Sequence, residues 1–194
     1  MADSSTMAGF EMAADDCVIV QFEGWDGAMA QFEAELRRML DGPLPNEVGE
    51  TVRHDRWVVI RVAPRRFWLL GDDPLPIRNI DPELGCTLPL GEGRVRLRLF
   101  GGDIKHVLER CVAVDWKTLG EGRAVQTGLH RVPILLLRRS AFECDLLVPR
   151  SFSRSLIEWI VDAAAGLNRA IYASPRTDAL SSAHASDGLV RQSE

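Results

Sequence analysis

The amino-acid sequence predicts an α+β protein of two small lobes, each an antiparallel sheet backed by helices in a ferredoxin-like arrangement. Three observations carry that prediction. Short runs rich in β-branched and aromatic residues fall in adjacent pairs, as hairpins require. Longer stretches place apolar residues at helical spacing. The order strand, helix, strands, helix in the second half repeats, at greater length, the scheme of the first. The expected boundaries are a flexible N-terminus over 1–16, a first lobe over 17–82, a second lobe over 83–172 and a mobile polar tail over 173–194.

The first lobe opens with "CVIVQFEGW", a buried strand by composition. In "DGAMAQFEAELRRMLDG" the residues Met29, Phe32, Leu36, Met39 and Leu40 recur at helical spacing, with arginines in the last turn and Gly42-Pro43 after it. "RWVVIRVAP" and "RRFWLLG" predict a hairpin around Ala63-Pro64, and "DDPLPIRNIDPELGCTLPLGEG", with four prolines, a connection between lobes.

The second lobe begins at "GRVRLRLFG", where Val95, Leu97 and Leu99 alternate with Arg94, Arg96 and Arg98. That is a half-buried strand with an arginine row on its other face. "GDIKHVLERC" is a short helix that puts His106 opposite its apolar side. "RAVQTGLHRV", "PILLLRR" and "FECDLLVP" predict three strands, separated by Pro133 and by a turn near Ser140. Phe152, Leu156, Trp159, Ile160, Ala163, Ala164 and Leu167 then form one apolar stripe of a closing helix.

Charge is unevenly spread. The net charge is -5, yet residues 1–93 carry 8 Arg/Lys against 17 Asp/Glu, while residues 94–154 carry 12 against 6. The basic residues of the second segment alternate with apolar ones and lack the exposed aromatics of a single-strand platform, which argues against nucleic acid as a partner. Without a long apolar run or a basic, apolar leader, the expectation is a cytoplasmic protein with no membrane partner. Cys17, Cys86, Cys111 and Cys144 are widely spaced, with no C-x-x-C and no histidine pair nearby, as fits reduced thiols rather than a metal site.

Catalytic signatures are absent from the pattern. "GEGR" occurs at 91–94 and 120–123, but each copy leads into a strand, whereas a phosphate loop must lead into a helix. No spacing joins His54, His106 or His130 to a serine and an acid, and Asp115 and Glu121 of "DWKTLGEGR" read as turn residues. No catalytic, cofactor-binding or metal residue is expected. One junction stands out: "VPRSFSRS", where Arg150, Ser151, Ser153 and Arg154 lie at a helix start. Ser151 could cap the helix with both arginines in solvent, or the arginines could hold a partner's carboxylates, or a phosphate.

"GRAVQTGLHRVPILLLR" and "FECDLLVPRSFSRSLIEWIVDAA", with "RVRLRLFG" and "RWVVIRVAPRRFWLLG" before them, resemble the gamma subunit family of heterotetrameric sarcosine oxidase and N-methylglutamate dehydrogenase. The likeness covers roughly residues 50–166 and is densest from 122 onward. It implies a fold similar to the folate-binding region of the glycine cleavage T-protein, and a noncatalytic place beside alpha, beta and delta subunits in an enzyme that oxidatively demethylates N-methyl amines. FAD, FMN, NAD, tetrahydrofolate and zinc would then belong to the partner subunits. A stand-alone folate-binding, one-carbon-transfer protein of the T-protein type is the alternative. On the first reading the partner interface falls on Arg150, Ser151, Phe152 and Arg154, together with Arg131 and Gln126. Trp25, Phe67, Trp68, Trp116 and Trp159 are expected to exceed what two small lobes can bury.

Overall fold

Alternation sorts the strand residues onto opposite faces of two five-stranded antiparallel sheets. The computed structural model describes residues 9–54, 56–72 and 78–173. One sheet is built from β2 (Val18–Gly24), β3 (Thr51–Arg53), β4 (Trp57–Ala63), β5 (Arg66–Gly71) and β6 (Gly85–Pro89), with α1 (Met29–Leu40) following β2. The other takes β1 (Glu11–Asp15), β7 (Arg94–Phe100), β8 (Arg123–Leu129), β9 (Val132–Ser140) and β10 (Glu143–Pro149), with α2 (Ile104–Leu108) after β7 and α3 (Ser153–Ala173) after β10.

The strand orders are β3-β4-β5-β2-β6 and β1-β7-β10-β9-β8. Setting aside the outer strands β3 and β8, each sheet has the 4-1-3-2 order of a ferredoxin-like unit. In the second sheet the fourth position is filled by β1, which precedes the whole first sheet in the chain. Residues 11–15 are therefore a strand, where the sequence suggests a flexible N-terminus: β1 pairs along β7 from Glu11↔Phe100 to Asp15↔Arg96. The "connection" also contains a strand, since β6 pairs with β2 from Val20↔Pro89 to Gly24↔Gly85. At a sheet edge its proline breaks no ladder. The boundary between lobes at 82/83 is thus crossed by β6, and the N-terminal segment supplies an edge strand of the second sheet. The tail after Ala173 lies outside the described residues.

The sheets stack face to face with helices outside, giving four layers. Phe32, Leu36 and Leu40 of α1 bury against Val20, Phe22, Val59, Phe67 and Leu69. α1 sits close because β2 ends in Gly24, where a Cβ would come within 2.8 Å of the Phe32 ring. On the opposite side Ile104, Val107, Leu156 and Ile160 of α2 and α3 cover Leu97, Leu99, Leu136, Leu146 and Val148. Between the sheets, Ile19, Val58, Ile60, Trp68 and Leu70 meet Leu135, Leu137 and Leu147. Phe67, Trp68 and Trp116 are buried, so of the five large aromatics named from the sequence only Trp25 and Trp159 remain exposed.

The arginine row of β7 also faces the first sheet. The Arg94 guanidinium lies 4.7 Å from the centre of the Trp68 ring. Arg96, 3% exposed, reaches Asp72 at 2.6 Å and Asp15 at 3.6 Å. Arg98 meets the same two acids at 3.3 and 3.2 Å. Arg139 of β9 holds Asp145 of β10, fully buried, at 2.5 Å. One border of the inter-sheet layer is therefore ionic, and its buried charges are paired, as burial demands.

Candidate functional site

The junction before α3 begins as a 3₁₀ turn over Arg150–Phe152, and the α-helix starts at Ser153. Ser151 does not cap it: the turn has no side-chain cap, and the hydroxyl of Ser153 donates to the Arg150 carbonyl at 2.8 Å. Arg150 turns away from the helix. Its Nη2 binds Asp16 at 2.7 Å and the Arg94 carbonyl at 3.1 Å, and its Nε donates to the Glu92 carbonyl at 2.9 Å. The Asp16 hydrogen bond raises its pKa further. Arg150 is thus a clasp that ties the exit of β10 to the start of β2 and to the 3₁₀ turn at Gly91–Gly93. Arg150 commits Nε and Nη2 inside the chain while its side chain stays 44% exposed, which leaves Nη1 for a partner's carboxylate. The two arginines do not act together: among the described residues Arg154, its side chain 93% exposed, reaches only Glu158, at 3.1 Å.

What the junction does expose is apolar. Phe152 is 49% exposed, and Trp159, two helical turns on and 36% exposed, lies along the same side of the helix. Val161 is also exposed. The hairpin joining β8 to β9 reaches this region, because the His130 ring stacks on Trp159 with centroids 4.0 Å apart. That hairpin turns at His130 and Arg131, with φ of 46° and 69°, and not at Pro133, which pairs with Gly128 inside the ladder. Two successive non-glycine residues with positive φ make a tight two-residue turn whose usual residues are Asn-Gly. Arg131 is exposed at its tip. Phe152, Trp159, His130 and Arg131 thus belong to one region, whereas Gln126 lies apart on β8, beside a cavity of about 290 Å³ shared with Gly49, Asp115 and Thr118.

The remaining candidates have structural work. Asp115 accepts from the Lys117 backbone at 2.9 Å, a turn-forming bond, and Glu121 is exposed in the turn before β8. His106 is exposed, 3.8 Å from Glu109. Burial pushes the Cys17 thiol up to about 11 and the Cys144 thiol to about 12, the opposite of what a nucleophile needs. Among the described residues no group of three His, Cys, Asp or Glu is placed to hold a metal ion, and no helix is long and apolar enough to cross a membrane. Sequence reasoning missed His130 as a neighbour of Trp159 at the surface; the two rings lie 29 positions apart in the chain.

Over 128 residues the chain is 27% identical to sarcosine oxidase subunit gamma from Corynebacterium sp. (strain U-96), which is 62% of this chain and 62% of that relative's length. The chain resembles a sarcosine oxidase gamma subunit. Its fold matches, at a TM-score of 0.73 and 23% identity, a chain of the heterotetrameric sarcosine oxidase from Corynebacterium sp. U-96 solved in complex with pyrrole 2-carboxylate. That match covers 84% of this chain and 89% of the other. The glycine cleavage system aminomethyltransferase T from Bartonella henselae is a weaker likeness, with a TM-score of 0.55 and 15% identity over 80% of this chain and 46% of that one. No protein-family model matches. Both Corynebacterium findings agree with the resemblance read from residues 50–166, and the fold expected from it, α+β with two antiparallel sheets, is the fold observed.

Proposed function

We propose that this chain is the gamma subunit of a heterotetrameric, flavin-dependent sarcosine oxidase or a related N-methyl amine oxidase or dehydrogenase, acting in the cytoplasm. It is a noncatalytic part that docks on larger chains. The observation that carries the reading is the 27% identity to a sarcosine oxidase gamma subunit, together with a fold shared over 84% of the chain. The chain's own chemistry supports the noncatalytic part. Its two most buried thiols are held protonated, and its prominent arginines are tied up in the clasp and the inter-sheet layer. On this reading FAD, FMN, NAD, tetrahydrofolate and zinc are held by the alpha, beta and delta partners, and the gamma chain meets them through the Phe152–Trp159 face. Charge complements it: Arg131 and Arg154, exposed around that apolar patch, suit acidic rim residues.

Native mass spectrometry of the chain purified at its natural abundance tests this. The expected result is one copy of this chain with larger flavin-bearing chains. A chain recovered alone, or one that retains flavin absorbance after separation from all partners, contradicts it.

A further inference from the structure

The outer strands of the two sheets are protected unequally. β3 is three residues long, and its Thr51 hydroxyl donates to the Gly122 carbonyl. β6 ends in Pro89, and its Thr87 hydroxyl accepts from the Ile80 amide at 3.0 Å. β8 is crossed at Ala124, whose amide donates to the Gly49 carbonyl at 2.8 Å, and at Leu129, which bridges to Val112. β1 has no such cover: its register along β7 runs unbroken from Glu11 to Asp15, with no proline and no bulge. Gly101 donates to Phe142, across from β10, and so fixes the alternation of the ladder. The even residues of β7 bond β1 through Glu11, Ala13 and Asp15, while Met12 and Ala14 turn their N–H and C=O groups outward. Among the described residues no hydrogen-bonding partner meets those outward groups. An open strand edge of this kind is a template for pairing with another chain, and folded proteins ordinarily cover or blunt it.

The same edge borders an apolar groove of about 400 Å³, walled by Phe10 and Met12 together with Val107 of α2 and Val161, Ala164 and Leu167 of α3. At about 100° per residue, Val161 lies about 200° round α3 from Trp159. The groove therefore opens on the flank that faces β1, while Trp159 faces the β8–β9 hairpin. Val161 is 49% exposed. Charge differs between the two faces of β1. Asp15 meets Arg96 and Arg98 on the face turned to the first sheet, and strand alternation puts Glu11 on that face too. Glu11 is exposed, and among the described residues it meets no basic side chain within ion-pair distance. A second copy is a poor occupant: pairing Met12 with Ala14 across a two-fold axis would set Glu11 of each chain opposite Asp15 of the other, like charges face to face.

We infer that the open edge of β1 and this groove take an extended segment of a larger partner chain, added as a further strand, with apolar side chains on the groove side and a basic one opposite Glu11. The inference rests on the reading of this chain as a docking subunit, and it adds a contact on the other flank of α3 from the Phe152–Trp159 face. Backbone bonds to Met12 and Ala14 supply the affinity of such pairing, and the alternate side chains its selectivity. The groove is of a size that takes bulky apolar groups.

Amide hydrogen exchange within residues 11–15, followed in the free full-length chain and in the assembled complex, is the test. In the free chain Met12 and Ala14 should exchange readily while Ala13 is protected, and assembly should slow both by about tenfold or more. Two variants bear on the same contact. Ala14→Pro removes only an outward N–H, which an edge strand tolerates, and Val161→Glu places a charge at the mouth of the groove without touching the strand. Each should leave the melting temperature of the free chain near that of wild type and weaken assembly about tenfold. A complex that forms while Met12 and Ala14 exchange as in the free chain overturns this proposal and leaves the subunit reading standing, whereas a chain that recovers no larger partner overturns both. Unchanged assembly in Val161→Glu and Ala14→Pro also overturns it. So does slow exchange of Met12 and Ala14 in the free chain: at every concentration it would mean that the chain covers its own edge, and at high concentration alone that a second copy does.

Discussion

The two helix-covered outer faces of the sandwich leave different things uncovered. α1 buries Phe32, Leu36 and Leu40, and its exposed positions are Ala30, Gln31, Ala34, Arg37 and Arg38. The large aromatic left exposed on that side, Trp25 just before α1, stands alone, its Nε1 donating to the Pro82 carbonyl at 2.8 Å. The α3 side buries Leu156 and Ile160 equally well but leaves Phe152, Trp159 and Val161 exposed, with a second aromatic, His130, laid against Trp159. A helix that has satisfied its own sheet and still shows a contiguous aromatic edge is the part of the surface with something left to bury. Docking is assigned to the α3 face on that difference, and not on the arginines of the junction.

The sharpest way to break the comparison is to truncate one phenylalanine on each face in the isolated chain. Phe32→Ala should cost about 3–5 kcal/mol in denaturant unfolding, since the ring is wholly buried between α1 and its sheet. Phe152→Ala should stay within about 0.5 kcal/mol, as for most surface changes, while weakening assembly with partner chains. Equal destabilisation by the two would mean that the α3 face belongs to the core.

A smaller effect of opposite sign is expected at the β8–β9 hairpin. Arg131 has φ of 69°, and Arg131→Gly relieves a left-handed conformation that costs a side-chain-bearing residue about 1 kcal/mol. The variant should therefore unfold at higher denaturant concentration and yet assemble less well. A strained residue kept at the tip of a docking hairpin has a role that stability alone does not explain. If Arg131→Gly leaves assembly intact, the hairpin lies outside the interface.

The least change concerns Glu23 of β2 and acid. A bidentate hydrogen bond from Arg66, 2.9 Å on each oxygen, holds the Glu23 carboxyl below the usual range. A depressed carboxylate contributes stability above its unfolded pKa and loses it as pH falls through the folded value. Glu23→Gln should accordingly melt slightly lower than wild type at neutral pH, with the gap closing in acid. A gap that is constant with pH would place the effect in packing rather than charge.

Much of this architecture can be read along the chain, and the exceptions share a cause. α1 and the hairpin of β4 and β5 follow from local periodicity and turn residues, which need no knowledge of distant parts. β1 escapes because "EMAAD" has no β-branched residue, and its strand exists only because β7, 80 or so residues later, offers an edge. The arginine row of β7 looks solvent-facing until a second sheet supplies Asp72. Arg150 is the clearest instance. Its neighbours suggest a helix-terminal anion site, yet its partner is Asp16, 134 residues away, and no local pattern encodes that pairing.

Hydrogen–deuterium exchange on the free chain and on the assembled complex tests the central assignment most directly. Assembly should slow exchange over residues 129–132 and 150–162, the hairpin tip and the first turns of α3, and leave residues 29–40 of α1 unchanged. Protection over α1 with none over α3 would contradict it.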